Sequence, residues 1–508
     1  MMFQQEPADI LARLQGLRDA DAPTHGGHVL SYVYDSGLAG LDELAAAAIR
    51  MVQPVNGLDP TTFTSVATME REVLDFARRV LHGDGDVVGT VTSGGTESCL
   101  LAVKTARDNW RAAHPDAGVP RLLAPVTAHA AFQKAAHYFG LALDLVPVGA
   151  EGICDAPAMI ERMGEDVALV VVSAPSYPYA ALDPIVVVAA AAAERGIACH
   201  VDACIGGWVL PWLDDVAPWD FRVTGVTGVS ADLHKFGYAP KGASVLLQRG
   251  RDRQRAQYFA TTRWPGYPVV NPTMLGSKSA GALAASWAII RALGEDGYAE
   301  LAASCARSTA ALRAVVGGIE GLRVVGNPVG PLFAVATDES VSAERRVDPH
   351  HWADQVRTHG FLLQLQPGLL QPNGVRLPST THLTITPVTE AVLPELSAAL
   401  RAAADEVRGV PAVSAADVLA ALPAEALGAL QHPDAAPLDS QTAWSLLGSI
   451  GLAPTGAGAP SGAVDAESAG SAAALPDRLA PFLALVEALP APLTERLLTE
   501  LLARLIEP

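Results

Sequence analysis

Between residues 87 and 247 the sequence alternates short apolar, β-branched runs with segments of helical periodicity, and no other feature constrains the fold as strongly. A run such as VALVVVS is continuously apolar, which is typical of a strand buried on both faces. Strands that alternate with helices build a mainly parallel sheet covered by helices. The sequence therefore predicts a large α/β domain with a seven-stranded, mainly parallel sheet. The predicted strands are 87–92, 122–126, 143–148, 167–173, 197–201, 226–230 and 243–247, and the predicted helices include 97–113, 130–139 and 185–195.

The remainder of the chain predicts a smaller C-terminal α/β domain and an extension. A long helical pattern at 298–316 leads into short strand-like runs and a closing helix at 389–407. Residues 453–475 are mostly Ala, Gly, Ser, Pro and Thr, which is typical of a flexible linker. Leucines at helical spacing near the C-terminus predict helices that dock on the body of the protein or on a partner subunit. The predicted organisation is an N-terminal arm and helix (1–60), a large domain (61–298), a small α/β domain (299–408), a helical extension (409–452), the linker (453–475) and amphipathic helices (476–508).

Composition excludes several classes of protein. The 508 residues carry a formal net charge of −19, which argues against a nucleic-acid partner because such proteins need a basic surface. The five cysteines form no CxxC pair, so we expect no metal, no disulfide framework and a reducing compartment. The longest apolar run, 185–193, is shorter than the ~20 residues of a membrane-spanning helix, and the N-terminus lacks a signal-peptide pattern. These features predict a cytoplasmic protein without stable membrane insertion.

The motif SGGTES at 93–98 follows a predicted strand and begins a predicted helix. Gly94 and Gly95 let the backbone approach an anion, and the helix N-terminus offers unpaired N–H groups with positive dipole character. The hydroxyls of Thr96 and Ser98 add donors, so the motif predicts a phosphate cradle. The alternative is a tight turn in which Thr96 caps the helix. Neither the dinucleotide-binding motif nor the P-loop motif is present.

Two other candidate catalytic residues follow predicted strands. Asp202 comes directly after the strand 197–201, where its carboxylate could pair with a cationic ring nitrogen or merely cap the next helix. Lys235 lies in a Ser-, His- and Gly-rich turn after a buried strand, although a salt-bridge role is also open to it. A cradle, an aspartate and a lysine are together what a pyridoxal phosphate enzyme needs, because the lysine forms a Schiff base and the aspartate keeps the pyridine nitrogen protonated. His129, also after a strand, is a candidate for stacking on the ring.

The motifs TSGGTES, AHAAFQKAAHYFG, HVDACIGGW and SADLHKFGYAPKGAS resemble the sphingosine-1-phosphate lyase branch of the group II decarboxylase family. The resemblance runs from about residue 28 to about residue 400 and is densest between 87 and 330. It implies the fold-type I PLP-dependent transferase fold, with 61–298 as the PLP-binding domain. It also implies a homodimer whose active sites are shared between the subunits.

The same resemblance implies roles for individual residues. Lys235 would form the Schiff base with pyridoxal 5'-phosphate, Asp202 would pair with the pyridine nitrogen and His129 would stack on the ring. The residues implied around the cofactor are Gly94, Gly95, Thr96, His129, Asp202, His234 and Lys235, with Gly276 and Ser277 from the other subunit, and those on the substrate side are Tyr34, Asn56, Asp59 and Lys241.

The activity that the resemblance implies is that of a PLP-dependent lyase acting on a small-molecule amine or amino acid. The first hypothesis is retro-aldol cleavage of a β-hydroxyamine through an external aldimine, which gives an aldehyde and an amine. The alternative is α-decarboxylation of an amino acid by the same residues, the activity of a carboxy-lyase. A scaffold that binds cofactor or a partner without turnover is disfavoured, because Lys235, Asp202 and the cradle are intact.

One departure from the lyases bears on the substrate. The lyases read Asn-Pro-Leu-His-Pro where this chain reads Asn-Gly-Leu-Asp-Pro at 56–60, so that Asp59 replaces a histidine that helps to hold the substrate's phosphate. An ionised aspartate offers acceptors and a like charge. We therefore hypothesise a substrate that is unphosphorylated, or that carries a polar or cationic group at that end; the alternative is that Asp59 caps the turn before Pro60 and faces solvent. The identity of the substrate stays open at this stage.

Overall fold

The computed structural model describes residues 4–414, 416, 438–449 and 478–507. The chain divides into two compact units, each described separately below. The first unit comprises Met1–Ala314, Val324–Ala334 and Leu383–Ala398, and the second comprises Val315–Arg323, Val335–His382 and Ala399–Pro508.

The first unit is built around a seven-stranded sheet of order β1-β7-β6-β5-β4-β2-β3. Strands β2 to β6 are parallel, and β7 pairs antiparallel with both β1 and β6. All seven predicted strands are confirmed, each with bounds within two residues of those predicted. The strands are β1 Val87–Thr92, β2 Arg121–Pro125, β3 Ala142–Val146, β4 Val167–Ser173, β5 Ala198–Asp202, β6 Val226–Ala231 and β7 Ser244–Arg249.

The continuous apolar runs of this sheet are explained by burial on both faces. Along β4 every residue is buried. Val170 and Val172 pack into one hydrophobic cluster, whereas Leu169 and Val171 pack into another, because successive side chains of a strand point to opposite faces. Each fully buried side chain of this kind contributes about 1.5–3 kcal/mol, so the central strands anchor the loops at their carboxyl ends.

Helices flank the sheet as predicted, with one difference. The helical pattern predicted at 298–316 belongs to a longer helix that begins at Gly281, and its backbone is interrupted at Gly294 (φ 58°, ψ −170°). Glycine adopts this conformation at little cost, which places the kink there. The first nine helices are α1 Pro7–Arg18, α2 Ala39–Val52, α3 Thr64–Val80, α4 Gly95–Ala113, α5 Ala130–Phe139, α6 Ala156–Glu161, α7 Ile185–Glu194, α8 Arg251–Arg255 and α9 Gly281–Gly317.

The remaining strands form one four-stranded sheet and two short hairpins. The four-stranded sheet has the order β10-β11-β15-β12, and β8 pairs with β9 and β13 with β14. The closing helix predicted at 389–407 is confirmed as α11 Thr389–Val407. The strands are β8 Phe259–Thr261, β9 Val269–Asn271, β10 Leu322–Val324, β11 Leu332–Thr337, β12 Gln364–Gln366, β13 Leu369–Leu370, β14 Arg376–Leu377 and β15 Thr380–Thr384, and the other helices are α10 Pro349–Thr358, α12 Ser440–Ser449, α13 Ala480–Ala488 and α14 Ala491–Ile506.

The C-terminal helices dock on the body of the second unit. The carboxylate of Asp354 accepts the N–H groups of Leu479 and Ala480, both at 2.9 Å, and so caps α13 from another helix. At the other end of α13, Glu487 accepts the N–H of Gly368 at 2.8 Å. Helices α12 and α14 share a small apolar cluster. The predicted linker 453–475 and most of the extension 409–452 lie outside the described residues.

Two properties bear on the chain's surroundings. Among the residues that the structure describes, no helix is long and apolar enough to cross a membrane. All five cysteines are buried and none is in a disulfide.

Candidate active site

Lys235 lies in the turn after β6, against a buried carboxylate. Its Nζ is 3.0 Å from Oδ2 of Asp232, which is 1% exposed. Burial on its own would lower the pKa of Lys235, but the negative charge of Asp232 raises that pKa well above its usual value. Burial opposes ionisation of Asp232 as well, yet Lys235 and His234 hold the pKa of its carboxyl below the ordinary range. Asp232 therefore holds a protonated Lys235 at this position.

The glycines of the predicted cradle lie directly against this pair. Helix α4 begins at Gly95, and Gly94 is its N-cap with φ 151° and no side-chain cap. A Cβ placed on Gly95 would lie 2.5 Å from Oδ2 of Asp232, and one on Gly94 would lie 3.0 Å from Cε1 of His234. Only glycine permits so close an approach. Thr96 is exposed and does not cap the helix, so the turn-cap alternative is not observed.

Ser98, which the sequence suggested as a cradle donor, does not belong to the cradle. Its side chain is fully buried, with Oγ 2.7 Å from Oγ1 of Thr92 and 2.9 Å from Oγ of Ser244. Because α4 begins at Gly95, Ser98 comes almost one turn later and faces the sheet. The expectation was wrong for that geometric reason.

Asp202 is the last residue of β5, at the carboxyl edge of the sheet. It is 7% exposed, and its Oδ1 accepts the N–H of Cys204 at 3.0 Å. This oxygen is therefore engaged in a turn and not in the helix cap that was the alternative, because no helix begins directly after β5 in the described part of the chain, and the carboxylate keeps a second oxygen for another partner. The thiol of Cys204 lies close by, and its hydrogen bond with Cys99 together with burial raises its pKa well above the usual value.

His129 is the N-cap of α5 and its ring is exposed. Its Nδ1 accepts the N–H of Ala131 at 3.2 Å. Because Nδ1 is the acceptor, a neutral ring carries its proton on Nε2. The cap fixes the orientation of this exposed ring.

His234 is held on both sides. Its Nδ1 lies 3.4 Å and 3.3 Å from the N–H nitrogens of Gly242 and Ala243, and its Nε2 lies 3.5 Å from Oδ2 of Asp232. Burial lowers the pKa of His234. Because Nδ1 faces these two N–H groups, a neutral ring carries its proton on Nε2, which points toward Oδ2 of Asp232.

Tyr34 and Lys241 lie next to each other and close to Lys235. The Nζ of Lys241 donates to the backbone oxygen of His234 at 3.0 Å and lies 4.7 Å from the ring centre of Tyr34. Burial lowers the pKa of Lys241 to about 8 and raises the pKa of Tyr34 to about 12. The charge of Lys235 also acts on both groups, so the three side chains share one electrostatic environment.

The other predicted residues form a second group in the first unit. Asn56 Nδ2 donates to Ser277 Oγ at 3.2 Å, and the backbone of Asn56 bridges to Ser279. Gly276 and Ser277 are exposed. Asp59, Gly276 and Ser277 line a cleft of 1510 Å³ that also borders β1.

The carboxylate of Asp59 accepts hydrogen bonds from residues of its own turn. Its Oδ1 accepts the N–H and the hydroxyl of Thr61 at 2.9 and 2.6 Å, and its Oδ2 accepts the hydroxyl of Thr62 at 2.6 Å. These hydrogen bonds hold the pKa of Asp59 well below its usual range. The contacts are those of the turn-capping alternative.

The sequence did not predict a role for two residues of the site, Asp232 and Glu97. The contact of Asp232 could have been predicted from the sequence, because a carboxylate three residues before a lysine in a compact turn can form an ion pair with it. The role of Glu97 could not have been predicted from the sequence, because one of its partners, Met274, is 177 positions away in the chain.

The geometry agrees with a family comparison. A family model described as the pyridoxal-dependent decarboxylase conserved domain matches residues 55–325, just over half of the chain. The chain belongs to the pyridoxal-dependent decarboxylase family. A second model, described as a C-terminal putative HTH domain of pyridoxal-dependent enzymes, matches residues 389–504. Members of the decarboxylase family use pyridoxal phosphate, so this decarboxylase-family protein is a PLP-dependent enzyme, as the sequence predicted.

Several relatives are sphingosine-1-phosphate lyases. The chain is 35% identical to the lyase 1 of Rattus norvegicus over 65% of its own length and 59% of the rat protein. It is 38% identical to the Dictyostelium discoideum lyase over 56% of itself and 54% of that lyase. For the Oryza sativa lyase the identity is 32%, over 75% of this chain and 69% of the relative. The chain thus spans less than two thirds of the length of the rat and Dictyostelium lyases.

Solved structures confirm the fold-type I architecture. The Burkholderia pseudomallei sphingosine-1-phosphate lyase matches with a TM-score of 0.73 and 32% identity, covering 80% of this chain and 92% of that one. The Lactobacillus brevis glutamate decarboxylase matches with a TM-score of 0.70 and 18% identity, covering 81% and 95%. The second likeness shows the fold alone.

The residues of the site fit the cofactor. The cradle is so close to Asp232 and His234 that a Cβ would not fit at Gly95, which leaves backbone N–H groups for a phosphate. A buried carboxylate, Asp202, stands at the strand end and an ε-amine, Lys235, lies after the next strand. This donor set suits a phosphorylated pyridine aldehyde.

Proposed function

We propose that the protein is a carbon–carbon lyase that cleaves a β-hydroxyamine in a retro-aldol reaction, giving an aldehyde and an amine. The observation that carries this proposal is the packing of Tyr34 and Lys241 together beside Lys235. These two residues match substrate-side positions of the lyases that the chain resembles. The lyases among its relatives and the Burkholderia structure support the same activity.

The residues that would hold the cofactor divide by the part they would contact. Gly94, Gly95, Thr96 and His234 would hold its phosphate, Asp202 its ring nitrogen, His129 its ring face and Lys235 its aldehyde carbon. When bound, pyridoxal phosphate supplies an electron sink for the negative charge that develops at the substrate's Cα.

The side chains of this chain would move and hold the protons. Retro-aldol cleavage requires removal of the proton of the β-hydroxyl, and Lys241, whose pKa is lowered to about 8, can take up or release a proton at Nζ near neutral pH. Tyr34, whose pKa is raised to about 12, keeps its proton and can donate a hydrogen bond to an oxygen of the substrate. Asp232 keeps the Nζ of Lys235 next to the cradle.

We propose further that the enzyme is a cytoplasmic homodimer with shared active sites. Gly276 and Ser277 are exposed on a loop at the open cleft, where they are available to a second subunit. Five buried, free thiols suit a reducing compartment. The acidic net charge of −19 supports a small-molecule substrate and no nucleic-acid partner.

The turn-capping contacts of Asp59 support a substrate whose phosphate, if present, is recognised elsewhere. Both carboxylate oxygens accept hydrogen bonds from Thr61 and Thr62, so the contacts favour the turn-capping alternative over the hypothesis of an unphosphorylated substrate, although Asp59 keeps its negative charge. We expect Asp59→His to leave the ratio of kcat/KM for sphingosine 1-phosphate and its unphosphorylated analogue within about threefold of wild type. A larger shift toward the phosphorylated compound would restore that hypothesis.

One assay tests the proposed reaction. The holoenzyme is incubated with β-hydroxyamines, with and without a phosphate, and with a panel of amino acids, while aldehyde and carbon dioxide are both measured. We expect aldehyde from β-hydroxyamines and its loss in Lys235→Ala. Carbon dioxide from an amino acid without aldehyde would establish the carboxy-lyase alternative, and no product together with no absorbance of bound cofactor would indicate a scaffold without turnover.

A further inference from the structure

Glu97 is a buried carboxylate that binds two loops at once. It lies in the first turn of α4 and is 7% exposed. Its Oε2 accepts the N–H of Ser93 at 2.6 Å, and its Oε1 accepts the N–H of Met274 at 2.5 Å. Ser93 begins the phosphate cradle. Met274 belongs to the loop 272–278, called here the arm, which carries Gly276 and Ser277.

The position favours a carboxylate for physical reasons. Burying an ionised group is unfavourable unless hydrogen bonds compensate. Here two short, charge-assisted bonds to backbone N–H groups do so, and the positive end of α4 adds to them. A residue that only capped the helix would need the contact with Ser93 alone, whereas Glu97 also binds Met274, 177 positions away.

The arm is tied at other points, but those ties do not reach the cradle. Gln257 Nε2 donates to the backbone oxygen of Pro272 at 2.8 Å, and Asn56 Nδ2 donates to Ser277 Oγ at 3.2 Å. Among the described contacts of the arm, the bond from Met274 to Glu97 is the one that joins it to the helix carrying the cradle. The relative position of cradle and arm therefore depends on this side chain.

We propose that Glu97 is a positioning residue that sets both the cradle of its own subunit and the arm that it extends to its partner. This inference rests on the proposed homodimer with shared sites. Since each site would combine one subunit's cradle with the other subunit's arm, a change at Glu97 in one subunit weakens cofactor binding in both sites.

The first experiment measures cofactor affinity. Cofactor-free Glu97→Gln and Glu97→Ala are titrated with pyridoxal phosphate, with Asp354→Asn as the matched control, because Asp354 is also a buried carboxylate that accepts two backbone N–H groups, those of Leu479 and Ala480 at 2.9 Å. We expect both Glu97 variants to bind the cofactor about tenfold more weakly or worse, as follows from leaving buried N–H groups without an acceptor, and Asp354→Asn to bind it as wild type does. Unchanged affinity in Glu97→Gln, which preserves size if Glu97→Ala fails to fold, would overturn the proposal.

The second experiment tests the reach of Glu97 into the partner site. In a hybrid with one Lys235→Ala subunit, a single site keeps its lysine. Glu97→Ala is placed either in the lysine-bearing subunit, where it alters that site's cradle, or in the Lys235→Ala subunit, where it alters the arm. We expect weaker cofactor binding at the remaining site in both arrangements. Wild-type affinity in the second arrangement would refute the coupling.

A third hybrid separates this inference from the proposed dimer. It carries Ser277→Asp in the Lys235→Ala subunit, which places a negative charge on the arm opposite a phosphate. If Ser277→Asp weakens binding at the remaining site and Glu97→Ala in the same place does not, the arms are shared and the role of Glu97 is wrong. If neither weakens it, the shared-site dimer itself is wrong.

Discussion

At the scale of single residues, Lys235 is positioned by Asp232, and we propose that its amine is the group that reacts with the cofactor's carbonyl carbon. We expect Lys235→Ala to abolish turnover and the Schiff-base absorbance near the visible edge, because alanine has no amine with which to form a Schiff base. Lys235→Arg is the matched variant, since it keeps a cation beside Asp232 but cannot react. Both proteins should remain folded by circular dichroism. Activity in Lys235→Ala would contradict the assignment of the site.

Asp202 has one carboxylate oxygen bonded within a turn, and we propose that the other pairs with the cofactor's ring nitrogen. Its Oδ1 caps Cys204, which Asn can also do through its carbonyl oxygen. We therefore expect Asp202→Asn to fold and bind cofactor but to lose at least ~10²-fold in kcat, the scale on which positioned electrostatic groups act. Steady-state kinetics with a cofactor titration would measure this. A loss below about threefold would reduce Asp202 to its capping role.

The lowered pKa of Lys241 predicts that KM depends on pH. Because burial lowers its pKa to about 8, its ammonium form is lost as the pH rises through about 8. If the cation binds an anionic end of the substrate, KM for a phosphorylated amine should rise above that pH, whereas Lys241→Arg, which stays charged, should keep a flat KM. The pH profiles of KM and kcat for both proteins test this. A wild-type KM that is constant from pH 7 to well above 8 would exclude charge-based binding by Lys241.

At the scale of secondary-structure elements, the ends of helices determine much of the geometry. In the second unit, Asp354 of α10 caps α13 with two hydrogen bonds and is buried. We expect Asp354→Ala to lower the free energy of unfolding by about 1–2 kcal/mol, since it leaves two N–H groups without an acceptor. Denaturant unfolding measures the change.

The control for Asp354→Ala is Asp405→Ala, a substitution in α11. Asp405 is 73% exposed and pairs with Arg408 three residues later. An exposed pair of this kind contributes about 0–1 kcal/mol, so the control should unfold almost as wild type does. Equal losses in the two variants would show that α13 is not held by the cap.

At the scale of the whole molecule, the position of the arm predicts an obligate dimer. Gly276 and Ser277 lie exposed at the cleft, and catalysis in the proposed site needs them from a second subunit. Light scattering should therefore give twice the 52.7 kDa chain mass, and dilution to monomer should remove activity. A monomer that turns over at the full rate would contradict the shared site.

The sequence by itself determined the strands and helices of the large sheet and the residues at their ends. Continuous apolar runs and helical periodicity are local properties, and burial on both faces of β4 leaves little freedom in how such a run folds. The cradle around Gly95 and the turn of Lys235 were predictable for the same reason, since each is a short motif next to a strand.

The tertiary structure alone decided which of these local features meet. In the folded protein Ser98 faces the sheet and Asp59 is hydrogen-bonded within its own turn. Asp232 lies against the cradle, and Glu97 accepts a hydrogen bond from the arm. A contact across 177 positions leaves no periodic trace in the chain, because its partners are brought together by the packing of the sheet and not by their spacing. Local pattern therefore located the chemistry of the site, and long-range packing arranged it.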